Sequence, residues 1–146
     1  MYRELLTEWI KNHAWARLQG PCSEKEIDAA ERYVGCPFPG ELKALLRETN
    51  GDRWLLLSAK EIIENAERNR QFFPECFDTI EEFRERIERH IFFATNGCGD
   101  YYCYRISPDG TADTSEIFLW EHESFSCRPA AKDIAELIRK YYNDEI

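Results

Sequence analysis

Basic residues are scarce relative to acidic residues in this chain of 146 residues. The sequence has 19 Lys and Arg against 28 Asp and Glu, which gives a formal net charge of −9 at pH 7. The phosphates of a nucleic acid would be repelled over most of such a surface. The charge therefore argues against direct nucleic-acid binding and is compatible with a basic protein partner, although it also serves solubility.

Long apolar runs are absent as well. No stretch approaches the ~20 residues that cross a bilayer, which argues against a membrane-embedded protein. The segment Met1–Ile10 carries acids where a secretory signal would carry bases. We therefore expect a cytoplasmic protein whose six cysteines are reduced thiols.

The spacings typical of metal sites and of common enzymes are also missing. There is no Cys-x-x-Cys pair, and the nearest approach to a ligand set, made of Cys98, Asp100, Cys103 and His122, does not have the spacing of structural zinc. No cysteine lies in a recognisable nucleophile motif. The glycines of segment 97–99 lead into tyrosines typical of a strand and not into a helix, which argues against a phosphate loop. The sequence predicts no catalytic residue, no metal and no cofactor.

Helical periodicity dominates the first two thirds of the chain. The sequences Ser23-Glu-Lys-Glu26 and Ser58-Ala-Lys-Glu61 are capping boxes, which mark helix starts. Between helices, Trp54–Leu57 is a short apolar run that predicts a buried strand. The predicted helices are Tyr2–Leu18, Ser23–Gly35, Pro39–Asn50, Ser58–Phe73, Thr79–Arg89 and Ala131–Tyr142.

The pattern changes to strands after His90. Ile91–Ala94, Tyr101–Ile106 and Glu116–Glu121 are short apolar or aromatic segments separated by turn residues. Few strand-helix-strand crossovers are available, so the order predicts an α+β fold with an antiparallel or mixed sheet packed against helices that cover one face. We expect one domain over residues 1–146, with a leading helix in 1–20.

The segment Asn96–Arg105 is dense in glycine, cysteine and tyrosine, and its pattern is typical of a hairpin. Its glycines permit a tight loop, and Asp100 can accept hydrogen bonds from the N–H groups of that loop. Alternation along the outgoing strand places Tyr102 and Tyr104 on one face and Tyr101 and Cys103 on the other. Either this strand is central and covered twice, or one aromatic face is free for a partner.

Five motifs, taken in order from about Pro21 to Tyr142, resemble the SUKH superfamily, which includes fungal cell-wall (glucan) synthesis regulators and bacterial immunity proteins. They are the helix Ile27–Val34, the corner Pro37-Phe-Pro39 before Leu42-x-x-Leu-Leu46, the break at Asn50-Gly51, the hairpin at Gly99-Asp100 and the strand at Trp120-Glu121. The sequence departs from this pattern in a charged helical insertion over 58–89, and in the region after Glu123, where no further strand is predicted.

The resemblance implies an α+β binding domain without a cofactor. Bacterial members of this kind neutralise a toxin, often a nuclease, so the leading hypothesis is a non-enzymatic immunity protein that binds a basic toxin domain. The predicted contact residues are Asp100, Tyr102, Trp120, Glu121 and Glu123. Two alternatives remain open: a regulatory adaptor like the fungal relatives, and a small hydrolase that uses His122 with Glu121 or Glu123.

Overall fold

A four-stranded antiparallel sheet lies at the centre of the molecule. The computed structural model describes all residues 1–146, and the strand order is the order in sequence. The strands are β1 (His90–Thr95), β2 (Tyr101–Arg105), β3 (Ile117–Glu121) and β4 (Ser126–Ala131). Each strand pairs with its neighbour in sequence, which short connections favour.

Six α-helices surround this sheet, and the predicted α+β class is confirmed. They are α1 (Tyr2–Trp9), α2 (Glu24–Val34), α3 (Gly40–Glu48), α4 (Ala59–Phe72), α5 (Ile80–Phe83) and α6 (Ile134–Tyr142). Two 3-10 turns, Ile10–Asn12 and Pro74–Cys76, and a π-helical turn, Arg84–Glu88, complete the helical segments.

The two predicted capping boxes are both formed. The Ser23 hydroxyl accepts from the Glu26 N–H at 3.1 Å, and the Glu26 carboxylate accepts from the Ser23 N–H at 3.0 Å. Ser58 and Glu61 exchange the same two bonds at the start of α4. These bonds satisfy N–H groups that have no partner inside the first turn of a helix.

Both faces of the sheet are covered. The helices pack on one face and enclose a large core, to which the sheet contributes Tyr102 and Tyr104. The opposite face holds a small core under the segment 73–88. The members of the small core are Phe83, Ile87, Phe92, Cys103, Phe118 and Trp120. Strand β2 is therefore central and covered twice, and the expectation that helices cover only one face is wrong.

Other predicted boundaries need correction. Helix α1 ends at Trp9 and not at Leu18, because the backbone N–H groups of Arg17 and Gln19 bond to carbonyls of the loop at 51–52. The helix predicted over Thr79–Arg89 is split into α5 and the π-helical turn, and Ile80 is 55% exposed where an inward position was predicted. Helix α6 starts at Ile134, after the N-cap Asp133, and not at Ala131.

The predicted strand Trp54–Leu57 is reduced to a single bridge between Leu56 and Ala94 of β1. The N–H groups of Trp54 and Leu56 bond to the Asp52 side chain and are not available for a strand partner. Conversely, β4 forms in the region after Glu123 where no strand was predicted. It is an edge strand, which explains why Pro129 is tolerated within it.

Candidate partner-binding surface

Asp100 ties the loop between β1 and β2 to the end of β3. Its Oδ1 accepts from the backbone N–H of His122 at 3.0 Å and lies 2.6 Å from Nδ1 of the same ring. Its Oδ2 accepts from the side-chain amide of Asn96 at 3.2 Å. Burial raises the pKa of the Asp100 carboxyl, but the hydrogen bonds from His122 and Asn96 outweigh it and hold the pKa below its ordinary value.

Gly99 makes room for this arrangement. Its φ is +94°, and a Cβ at this position would lie 3.0 Å from Nδ1 of His122. A side chain here would both strain the backbone and displace the ring. The glycine predicted to form a tight loop therefore also allows the contact between Asp100 and His122.

Asp52 holds the neighbouring loop from inside the large core. Its side chain is fully buried, and Oδ1 accepts from the N–H groups of Trp54 at 3.0 Å and of Leu56 at 2.8 Å. Its Oδ2 accepts from the Tyr142 hydroxyl at 2.5 Å. This anchoring leaves Trp54 at the surface with 44% of its area exposed.

The five predicted contact residues have different environments. Asp100 and Glu121 are partly exposed, and Glu123 is exposed. Tyr102 and Trp120 are each only 2% exposed. Tyr102 lies in the large core, whereas Trp120 lies in the small core and donates its indole N–H to the Arg86 carbonyl at 2.9 Å.

We define the hairpin-end surface as the loop 96–100, residues 121–123, Trp54 and Tyr141. Trp54, the Cys98 thiol and Asp144 all lie near the Tyr141 hydroxyl. Burial, followed by the negative charge of Asp52, raises the pKa of Tyr141. The buried Tyr102 packs edge-on behind Tyr141, with 6.5 Å between ring centroids, and so supports the surface from within.

Sequence reasoning missed Trp54 as an exposed side chain. The apolar run Trp54–Leu57 was interpreted as a wholly buried strand, although only Leu55 and Leu56 are buried. Asp52 was the signal in the sequence that this segment is a turn, since an aspartate side chain commonly accepts from the backbone N–H two residues later.

A second cluster lies on the opposite side of the sheet, in the small core. The side chains of His90, Cys103 and Cys127 place their ligand atoms within 4.8 Å of one another. His90 and Cys127 line a cleft of about 590 Å³, which also receives Arg86, Arg89 and Arg105. Of the metal-ligand candidates considered from the sequence, only Cys103 belongs to this cluster.

The two thiols of this cluster differ in their electrostatics. Burial raises the pKa of Cys103 well above its ordinary value. The hydrogen bond from Cys103, followed by that involving His90, lowers the pKa of Cys127. The hydrolase pairing considered from the sequence is not formed, because the His122 ring bonds to Asp100, while Glu121 forms an ion pair with Arg128 at 3.1 Å.

A family model described as SMI1/KNR4 family (SUKH-1) matches residues 21–140. The chain belongs to the SUKH-1 family. This confirms the resemblance seen in the sequence, and the family is in general non-enzymatic. No curated protein is significantly similar to this SUKH-1 chain.

The SUKH-1 match includes the whole sheet and most of the hairpin-end surface, while Tyr141 falls just beyond it. It also includes the small core with its cysteines and histidine. None of the helices of this SUKH-1 protein combines the length and the apolar content needed to cross a membrane.

Proposed function

We propose that this SUKH-1 chain is an immunity-type protein that binds and neutralises a basic toxin domain such as a nuclease, and that the hairpin-end surface makes the contact. The observation that carries the proposal is Trp54, a large aromatic side chain exposed on a loop that a buried aspartate holds in place. Tryptophan and tyrosine are enriched among the residues that dominate binding energy at protein interfaces.

The charge around Trp54 favours a basic partner. Asp100, Glu121, Glu123 and Asp144 lie on or beside the hairpin-end surface, in a chain whose net charge is −9. Such acids accelerate the encounter with a positively charged protein, and salt screens this effect. Because hydrogen bonds from His122 and Asn96 occupy the Asp100 oxygens and Glu121 is paired with Arg128, we propose that Asp100 and Glu121 contribute their charge and that Glu123 supplies a direct contact.

The burial of Tyr102 and Trp120 assigns them a supporting role in this proposal. Tyr102 fixes Tyr141 from behind, and Trp120 fixes the β3 end through its bond to the Arg86 carbonyl. Both would act on the partner through the shape of the surface.

The test is binding of the purified chain to the purified products of the genes beside its own, together with protection of a host that expresses each product. We expect one product to bind with 1:1 stoichiometry and to be toxic only without this chain. Replacing Trp54 by alanine should weaken binding by about 30-fold or more, the loss of about 2 kcal/mol typical of an interface hot spot.

Phe72→Ala is the matched control, because Phe72 is also exposed, at 62%, but lies at the end of α4. It should bind like the parent chain. If no neighbouring product binds or is neutralised, the immunity role is refuted. If one binds but Phe72→Ala weakens it as much as Trp54→Ala, the assignment to the hairpin-end surface is refuted.

A second arm tests the acidic contribution. The double variant Glu121→Gln and Glu123→Gln should lower the association rate constant and flatten its salt dependence, while Glu67→Gln on the exposed face of α4 should change neither. An association rate that does not respond to salt in the parent chain would exclude steering by charge.

A further inference from the structure

Three potential metal ligands come from three different strands and meet in the small core. His90 lies on β1, Cys103 on β2 and Cys127 on β4. Cys103 is fully buried and Cys127 is partly buried. Nothing in the proposed contact with a partner uses these side chains, since they lie on the opposite side of the sheet from Tyr102 and Tyr141.

The His90 ring is oriented as in metal-binding histidines. Its Nδ1 lies 3.0 Å from the Ile87 carbonyl oxygen, and only an Nδ1–H can make that bond. The lone pair of Nε2 is then directed at the Cys127 sulfur, 3.5 Å away. A backbone carbonyl that fixes the tautomer of a histidine in this way is the usual outer partner of a metal ligand. Stacking on Phe92, at 5.4 Å between centroids, further fixes the ring.

The ligand atoms lie close to the positions that a tetrahedral zinc ion requires. Zinc–nitrogen and zinc–sulfur bonds of about 2.0 and 2.3 Å place two such ligand atoms about 3.5 Å apart, and two sulfurs about 3.8 Å apart. The nitrogen and sulfur of His90 and Cys127 are already 3.5 Å apart, and the other ligand atoms, within 4.8 Å, would have to move closer by up to about 1 Å when the ion binds. We propose that His90 Nε2, Cys103 Sγ and Cys127 Sγ bind a zinc ion.

The strand order is unfavourable for a disulfide between Cys103 and Cys127. Strand β3 lies between β2 and β4, and next-but-one strands are roughly 9–10 Å apart. A disulfide requires Cα atoms closer than about 7 Å. An ion bridges the longer span because each sulfur binds the metal and not the other sulfur.

The cleft of about 590 Å³ beside His90 and Cys127 supplies the entry path and the room for a water as fourth ligand. Its arginines do not oppose binding, because zinc with two thiolates and a neutral imidazole carries no net charge. The positive charge of Arg105 favours the thiolates on which the metal depends.

The experiment is a titration of the reduced, metal-free chain with cobalt(II), followed by displacement with zinc. We expect one equivalent to bind, with the sulfur-to-cobalt charge-transfer band and the intense visible bands of tetrahedral cobalt, and zinc to remove both. Cys127→Ser and His90→Gln should each weaken zinc affinity by at least about 100-fold. Loss of a residue that only hydrogen-bonds to a metal ligand already lowers metal affinity by about 10–100-fold, and these variants remove a ligand itself.

Cys98→Ser is the control, because Cys98 is an exposed free thiol on the hairpin loop. It should retain the full cobalt spectrum and the parent zinc affinity. Circular dichroism must show that Cys127→Ser is folded, and Cys103→Ser provides a second removal from the same site if it is not. No tetrahedral cobalt spectrum, a spectrum unchanged in both cysteine variants, or one lost in Cys98→Ser would each overturn the proposal.

Discussion

The hydrogen bond between the Tyr142 hydroxyl and Asp52 allows a quantitative test of how the loop bearing Trp54 is held. Tyr142 is 5% exposed and Asp52 is fully buried, with 2.5 Å between Oη and Oδ2. Burial, and then the negative charge of Asp52, raise the pKa of Tyr142, so the hydroxyl keeps its proton. Tyr142→Phe removes the hydroxyl and leaves the ring in place.

The expected loss is about 1.5–3 kcal/mol in the free energy of unfolding, the range for a hydrogen bond to a charged group. For a chain of this length, that corresponds to a melting temperature lower by roughly 4–10 °C. Asp52→Ala should cost more, about 3–6 kcal/mol, because it leaves two backbone N–H groups and a hydroxyl without an acceptor.

Urea unfolding, followed by fluorescence, measures both effects. Asp52→Asn keeps one acceptor oxygen for the N–H groups of Trp54 and Leu56, so a double-mutant cycle with Tyr142→Phe isolates the pair. We expect a coupling energy of about 1–2 kcal/mol. The control is Tyr33→Phe, since Tyr33 is a partly buried tyrosine on α2 whose ring packs against Arg70, away from Asp52. If Tyr142→Phe changes stability no more than this control does, the bond to Tyr142 does not anchor Asp52.

Two further predictions concern the same end of the molecule. Gly51→Ala should lower the free energy of unfolding by about 2–4 kcal/mol, because φ is +86° and a Cβ would lie 2.9 Å from backbone atoms of residues 56 and 58. Gly97 has a similar φ of +79° but no atom near the position of a Cβ, so Gly97→Ala should cost only about 1 kcal/mol. Chemical denaturation measures both losses. Equal losses would show that contact with residues 56 and 58 does not matter. The pKa of Asp100 is lower in the folded chain than in the unfolded chain, where it is about 4. The ionised Asp100 carboxylate therefore stabilises the fold fully when the pH is above the unfolded-state pKa, and this stabilisation is lost as the pH falls through the folded-state pKa. Urea midpoints should therefore fall less on acidification in Asp100→Asn than in the parent, and parallel pH profiles would contradict this.

Local signals predicted which segments form helices better than where each helix begins and ends. The capping boxes at Ser23 and Ser58 depend on residues within four positions of one another, so the sequence contains the whole interaction. The strands around the hairpin followed for the same reason, because alternation and turn residues are local. The predicted α+β class depended on these elements alone.

The errors came from contacts between distant residues. Trp54–Leu57 has the composition of a strand, but Asp52 takes two of its N–H groups, and Asp52 is held there by Tyr142 at the other end of the chain. Strand β4 was missed because Pro129 is unfavourable in a central strand, and only the sheet order shows that it lies at an edge.

The candidate sites show the same limit. The loop from Asn96 to Asp100 was found from its composition, but the N–H groups of Gly97 and Cys98 bond to Thr95 and Asn96 and not to Asp100 as predicted. Asp100 accepts instead from the Asn96 side-chain amide and the His122 N–H. The grouping of His90, Cys103 and Cys127 could not be found by spacing, because metal motifs are recognised when ligands are near in sequence. Here three strands bring them together, on a face whose covering by α5 was not predicted.

A buried aspartate in the large core requires a reason, because desolvation of a carboxylate costs several kcal/mol unless partners replace the lost water. At Asp52 three donors do so, and they come from both sides of the loop and from α6. A hydrophobic side chain could fill the space but could not fix the backbone of residues 54–56. We therefore expect the loop to keep one conformation in the free protein, so that Trp54 meets a partner with little further loss of entropy. Tyr142→Phe should therefore accelerate dissociation of the partner, even though Tyr142 is too deeply buried to touch it. If the variant is less stable but the dissociation rate is unchanged, the fixed conformation of the loop does not contribute to binding.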